Sequence, residues 1–415
     1  MYLIQSVNTY MSVVKQYSEL SLKLTSKLNN NIKKSNGIYF TPFDIIKKSV
    51  DYILSLKNIN ISTILEPSCG RCEYIRYLDD RLTEINIVGV ENNDLIYNDI
   101  KNISDWKNNI YLFHSDYLSF NDDKLYDLII GNPPYFVYKE KFNKDYKQYF
   151  TGRANIFILF IVHSLKKLNK NGILSFVLPK SFTNCLYYDK LRQYIYENYT
   201  ILNIFDCSND NKYLETEQDT IIFIIQNTPG ENSLFSLENN SNIIFNTKEN
   251  IEKIKELYNN TTTLKNLNFD VYVGTVVWNQ NKDLLTDDTT FTRLIYSSDI
   301  VDNTLVKQTY KNAEKKNHIK KDGRTGMILV INRGYGVGKY KFNFCLIDNK
   351  EQYLIENHLI CIEYKQKTTK KKQKEMYNMI IKSLNSEKTS EFISIFFGNN
   401  AVNCTELKTL FPIYI

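Results

Sequence analysis

The chain has 415 residues, enough for two domains that each bury a core, and its formal charge of +6 is mild for that length, allowing an acidic polymer as partner without requiring one. No stretch of about 18 uninterrupted apolar residues and no basic, apolar and small-residue leader occurs, which argues against a membrane span and predicts an unsecreted protein. Seven scattered cysteines, an odd number in a chain that does not need staples, read as thiols in a reducing compartment.

From the start to about residue 30, apolar positions recur at helical spacing (Leu3, Val7, Met11, Val14, Leu20, Leu24, Leu28), which predicts one or two helices ending in Asn29-Asn30-Asn31. After Gly37, the segment Ile38-Tyr39-Phe40-Thr41-Pro42 leads into a second helix from about Phe43 to Leu56, with Pro42 suited to the first helical position. Short β-branched runs follow at 61–65, 85–90, 110–114, 125–130, 173–178, 201–205 and 220–225. Most are continuously apolar, as strands covered on both faces should be, and helical patterns such as Asn155 to Leu168 and Asn184 to Glu197 lie between them. This alternation predicts an α/β protein with a doubly wound, mostly parallel, seven-stranded sheet, whose ligand sits at the carboxyl ends of the strands. Near Asn227 the rhythm stops, and an aromatic-rich part with short strands and turn signals predicts a second, α+β C-terminal domain. The expected organisation is a helical segment over 1–36, the doubly wound domain over 37–227 and the second domain over 228–415.

Polar residues collect at the strand ends. The first strand runs into Glu66-Pro67-Ser68-Cys69-Gly70, the second into Glu91, and the third into Ser115-Asp116-Tyr117. A glycine at the first turn lets backbone approach a nucleoside-like cofactor, and a carboxylate after the second strand can accept both ribose hydroxyls. Asp116 could accept from an adenine amine while the apolar face of Tyr117 packs the ring.

The fourth strand ends in Asn132-Pro133-Pro134-Tyr135. An amine conjugated to a ring or carbonyl is a poor nucleophile because its lone pair is delocalised. Two acceptors on its N–H bonds, the Asn132 side-chain oxygen and the Pro133 carbonyl, would hold it and favour rehybridisation during attack. The prolines keep the loop rigid and withhold competing backbone donors, and Tyr135 gives a flat face to a planar substrate.

Together with Glu66-Pro67-Ser68-Cys69-Gly70 and Tyr39-Phe40-Thr41-Pro42, this motif resembles the S-adenosylmethionine-dependent, adenine-specific DNA methyltransferases of the restriction-modification type. The resemblance runs motif by motif over residues 37 to 226 and in layout to a C-terminal target-recognition domain. It implies the methyltransferase sheet, S-adenosyl-L-methionine as cofactor, duplex DNA as partner, base flipping, and transfer to the exocyclic amine of adenine. Tyr39, Thr41 and Pro42 would cover the methionine end of the cofactor. Glu66, Ser68 and Gly70 would line its site, with Glu91 on the ribose, Asp116 and Tyr117 at its adenine, and Asn132 beside it. Asn132 to Tyr135 would carry the chemistry, and Tyr135 and Tyr213 would stack the flipped base. The resemblance leaves room for a separate restriction endonuclease as partner. It places the protein in a bacterial cytoplasm or inside a cell infected by a large DNA virus. The chain departs from the family at Cys72, where a further small residue is usual, and at Asn92, where an apolar residue commonly packs on adenine.

The Asn-Pro-Pro-Tyr motif by itself specifies a planar amine, so a protein glutamine amide or an RNA base is the alternative substrate, and a noncatalytic DNA-binding subunit the third reading. The form of the first motif, the Thr-Pro segment before it and the large following domain favour DNA. Cys69 and Cys72 lack a second pair at metal-ligand spacing. Gly334, Gly336 and Gly338 lack dinucleotide-binding spacing and read as a glycine-rich hairpin or turns, and the lysines between Lys365 and Lys374 read equally as a phosphate-tracking patch or a solvated loop.

Overall fold

The computed structural model describes residues 37–208, 218–333, 342–397 and 402–415. The helices expected over the first 30 residues, Tyr213 and the glycine run at 334–338 lie outside the described residues.

Helix α1 (Phe43–Ser55) forms because Ile45, Ile46, Ser49, Val50 and Ile53 recur at three- and four-residue spacing and all turn inward. Pro42 stands one position earlier than expected, as the N-cap at φ −57° and ψ 141°, and its carbonyl accepts from Ile45 and Ile46. The other elements of the first sheet follow in order: β1 (Thr63–Glu66), α2 (Glu73–Asp79), β2 (Asn86–Glu91), α3 (Asp94–Ile100), β3 (Asn109–His114) and β4 (Tyr126–Gly131). Helix α4 (Ile156–Leu165), β5 (Leu168–Pro179), α5 (Asp189–Asn198), β6 (Thr200–Asp206) and β7 (Thr220–Gln226) complete it.

The seven strands are ordered β3-β2-β1-β4-β5-β7-β6. The first five are parallel, and β7 runs antiparallel between β5 and β6. Apolar side chains on both faces of the central strands feed two separate cores. One is built on α1 and α2, and the other on α4, of whose ten residues all but His163 are buried. Strand β3, at the sheet edge, has no fully buried residue: half-buried Ile110 and Leu112 alternate with exposed Tyr111 and Phe113.

The winding reverses between β1 and β4. From β1 the chain steps outward through β2 to β3, then returns to β4 on the other flank and proceeds outward to β5. Such a reversal leaves a crevice at the carboxyl ends of the two central strands. Here Leu65 pairs with Ile129, so the loops after Glu66 and Gly131 emerge side by side.

The compact units divide after Ile251, not at the expected border near Asn227. The cause is a hairpin of Ser236–Asn239 and Asn242–Phe245, whose Ile243 and Phe245 enter the core over α4 and α5. Arg192 of α5 fastens it: fully buried, it donates to the carbonyls of Phe182, Cys185 and Ile243 and pairs with Asp189. A polar, loop-like sequence thus belongs to the first unit because tertiary contacts hold it there.

The second unit is α+β. Three antiparallel strands, Arg324–Asn332, Phe344–Ile355 and Leu359–Tyr364, form the middle of a second seven-stranded sheet. Helices Lys370–Leu384, Glu387–Phe396 and Cys404–Thr409 follow. Of the lysines read equally as a phosphate-tracking patch or a solvated loop, Lys370, Lys371, Lys372 and Lys374 lie in the first turns of the Lys370–Leu384 helix, capped by Thr369 accepting from Lys372, while Lys365 and Lys367 precede it. No helix among the described residues is long and apolar enough to cross a membrane.

Candidate active site

At the switch point the four loops after β1, β2, β3 and β4, together with residues 37–40, surround a cavity of about 270 Å³. Tyr39, Ser68, Gly70, Glu91, Asp116, Tyr117, Asn132 and Pro134 all face it. A smaller cavity alongside adds Thr41 and Glu66 to the same neighbourhood.

The loop after β1 owes its path to two left-handed residues, Gly70 at φ +51° and Cys72 at φ +64°. The second shows why a glycine suits that position, since a side chain there carries strain. The turn brings the Gly70 N–H 2.9 Å from Glu91 Oε2, while the Asn93 N–H donates to Oε1 at 2.7 Å. Both carboxylate oxygens are thereby fixed, yet each keeps lone-pair capacity for a hydroxyl. Burial raises the pKa of Glu91 above the usual carboxylate range, and the N–H donors of Asn93, Gly70 and Asn92 oppose that shift.

Glu66 ends β1 almost wholly buried, and its Oε2 has no hydrogen-bond partner among the described residues. Burial, then the proximity of Cys72, Glu73 and Glu91, raises its pKa well above that of an exposed glutamate. A buried acceptor left open in this way is suited to a cationic or N–H group of a ligand. Ser68 Oγ donates to the Asn132 carbonyl at 3.1 Å, which ties the first loop to the fourth.

Asp116 caps the short helical turn Tyr117–Ser119, accepting from the Leu118 N–H at 3.1 Å. Tyr117 borders the cavity but is only 1% exposed. Its hydroxyl bonds Ser164 Oγ at 2.9 Å, and its ring packs on Phe160 and His163. It is therefore a rigid piece of the cavity wall.

The side-chain amide of Asn132 is held at both ends. Its Nδ2 donates to Thr41 Oγ1 at 3.1 Å and to the Tyr39 carbonyl at 3.3 Å. Its Oδ1 accepts from the Tyr135 hydroxyl at 2.7 Å, and the same hydroxyl lies 2.7 Å from the Val177 carbonyl on β5. The Tyr135 ring meets Phe157 edge to face at 6.0 Å. Pro42, Pro133 and Tyr135 do not border either cavity; Pro42 caps α1 and Tyr135 packs behind Asn132.

Several bordering residues carried no assignment from the sequence. Phe40 borders both cavities, and the guanidinium of the buried Arg71 lies 6.0 Å from its ring centre. Asn93 caps α3 and turns the chain so that its N–H reaches Glu91. Gly37, at φ +61°, packs so closely on the Asn-Pro-Pro-Tyr loop that a Cβ there would lie 2.7 Å from the Tyr135 nitrogen. A glycine at the head of the Tyr-Phe-Thr-Pro segment was the available signal for it; Phe40 offered none beyond its place within that segment.

Comparison with known proteins agrees with this architecture. Residues 14–213 match the family model described as Eco57I restriction-modification methylase. Over 408 residues the chain is 26% identical to Type II methyltransferase M.CvrRI of Paramecium bursaria Chlorella virus XZ-6E, covering 97% of this chain and all of that one. It is 24% identical to Modification methylase CviBIII of Paramecium bursaria Chlorella virus NC1A, covering 96% of this chain and 99% of the relative. Type II methyltransferase M.AccI of Acinetobacter calcoaceticus is 30% identical over 207 residues, 43% of this chain and 38% of the relative. Among solved structures, the DrdV–DNA complex aligns with a TM-score of 0.53 at 12% identity, covering 92% of this chain and 57% of the DrdV chain, a likeness of fold.

Proposed function

We propose that this chain, whose residues 14–213 match the family model described as Eco57I restriction-modification methylase, is a site-specific DNA methyltransferase that methylates the exocyclic amine of adenine in duplex DNA. The observation that carries the reading is that Asn132 and Pro134 border a cavity that also presents Glu91, with the Asn132 amide oriented by Thr41 and Tyr39.

The residues present suit S-adenosylmethionine. Glu91 would accept the ribose hydroxyls, and Gly70 lets the backbone close against the ligand. The open oxygen of buried Glu66 would take the methionine ammonium, and Asp116 the cofactor's adenine amine. When bound, the cofactor supplies a methyl group activated by a positive sulfur. Asn132 Oδ1 and the Pro133 carbonyl would accept the two N–H bonds of the target amine and direct its lone pair. On transfer the S–C bond to that methyl would break with its electron pair staying on the sulfur, leaving a neutral thioether, and one of the N–H protons would pass to water, so that the product would be a neutral secondary amine.

The amine of a paired adenine is inside the duplex, so the target nucleotide must be extruded. Tyr135 and Tyr213 are the proposed stacking faces, the second lying outside the described residues. For Tyr135 this role requires the ring to be reached from the cavity side past Pro134. The second unit, Glu252–Ile415, is proposed to read the DNA sequence.

The test is methylation of unmethylated DNA, total RNA and a glutamine-containing protein substrate with labelled S-adenosylmethionine. DNA should be labelled at N6 of adenine, and Asn132→Ala should slow single turnover by roughly 10²–10³. Label in RNA or protein alone, or a variant within a few-fold of the parent, would reject the assignment.

A further inference from the structure

We propose that the Tyr135 hydroxyl is a positioning group: it occupies the Asn132 Oδ1 acceptor until the target amine arrives and then turns to the Val177 carbonyl. The inference rests on the reading of Asn132 given above.

An asparagine amide can present oxygen or nitrogen to a substrate, and only the oxygen accepts. Here the choice is made by the neighbours of the amide. The Nδ2 group faces two acceptors, Thr41 Oγ1 and the Tyr39 carbonyl. A reversed amide would set Oδ1 against the Tyr39 carbonyl, acceptor against acceptor, so the oxygen is held on the other side. There it meets a phenolic O–H at 2.7 Å.

That hydroxyl has one hydrogen and two acceptors, Asn132 Oδ1 and the Val177 carbonyl, each at 2.7 Å. Only one can receive a well-aligned bond at a time. The Val177 carbonyl belongs to β5 in the middle of the sheet and the ring is braced by Phe157, so neither the ring nor the backbone has to move. Rotation about the C–O bond suffices. Without the hydroxyl, the half-buried amide oxygen would stand unsatisfied, and the side chain would be drawn toward other donors. With it, the oxygen is kept in place, and its release to the substrate exchanges one hydrogen bond for another. Thr41 and Tyr135 therefore grip opposite ends of one amide. Loss of either grip leaves the other, whereas loss of both lets the amide turn.

The experiment is a double-mutant cycle in single-turnover methylation of unmethylated genomic DNA at saturating labelled S-adenosylmethionine. Tyr135→Phe keeps the ring and Thr41→Val keeps the shape. Each alone should reduce the rate about three- to tenfold, and Tyr135→Phe should leave cofactor affinity by calorimetry unchanged. The double variant should fall at least about tenfold below the product of the single effects, because the two sites act on one rotor. Thr41→Ser in the Tyr135→Phe background should return the rate to that of Tyr135→Phe, which a packing role for Thr41 would not give. Rates that simply multiply, or a Tyr135→Phe protein at the parental rate, would overturn the inference while leaving the methyltransferase reading standing. A parent protein that labels no DNA would instead remove that reading itself.

Discussion

Replacing Gly37 by alanine tests how tightly the segment before α1 governs the Asn-Pro-Pro-Tyr loop. The change has two costs. At φ +61° any residue with a Cβ loses roughly 1–2 kcal/mol relative to glycine. In addition, the new Cβ would meet the Tyr135 nitrogen at 2.7 Å, Pro134 Cβ at 3.1 Å and Phe136 Cδ1 at 3.2 Å. The nearest of these is backbone, so the motif loop itself must yield, at a further cost of about 1–3 kcal/mol. A shift of even a large fraction of an ångström in Asn132 would cost about 10²-fold in rate. Gly152 provides the control. It too is left-handed, at φ +74°, but its Cβ would meet only the ring of the exposed Tyr187 at 3.2 Å. Urea unfolding should therefore show a loss of roughly 1–2 kcal/mol for Gly152→Ala and about 2–5 kcal/mol for Gly37→Ala. Single-turnover methylation should fall about 10²-fold in Gly37→Ala and less than about threefold in Gly152→Ala. Equal losses of activity in the two variants would refute the claim that Gly37 sets the loop.

Glu91→Ala should weaken S-adenosylmethionine binding by roughly 10- to 100-fold in calorimetry, since the ribose would lose its charged acceptor; unchanged affinity would remove the ribose assignment. In the second unit, Arg324, Lys365 and the Tyr272 hydroxyl oppose the cost of burying Glu363 and hold its pKa down at about 2. A depressed carboxylate stabilises the fold above its unfolded pKa, so about 3 kcal/mol of stability should disappear as pH falls from about 4.5 to 2. Glu363→Gln should lack this dependence, and an identical acid unfolding curve would exclude it. Arg192→Met removes a donor from three carbonyls, of which only that of Cys185 is known to keep another, the Tyr188 N–H, and should destabilise the first unit by about 3 kcal/mol or more. Hydrogen exchange should rise first in Ser236–Phe245; exchange that rises evenly over the unit would contradict the fastening role.

The strand pattern was legible in the sequence because buried parallel strands must be apolar on both faces. Runs such as residues 125–130 and 220–225 have no other economical place in a folded chain. The place of the candidate site was legible for a related reason: a carboxylate, a left-handed glycine and an amide followed by two prolines each have few uses at a strand end. Several features were decided only by tertiary structure. The sequence could not tell that Tyr117 spends its hydroxyl on Ser164, because a tyrosine offers the same ring whether it faces a ligand or a core. It could not place residues 232–245 with the first unit, since the buried guanidinium of Arg192, which draws them in, lies some fifty residues from Ile243. Nor could it set the state of the Asn132 amide. Which end of that side chain faces the cavity depends on Tyr39 and Thr41, 93 and 91 residues away, and on Tyr135 only three away. Local sequence fixes which groups are present and on which kind of element. Whether a polar group is open to a substrate or already satisfied depends on partners that only the closing of the sheet brings within hydrogen-bond reach.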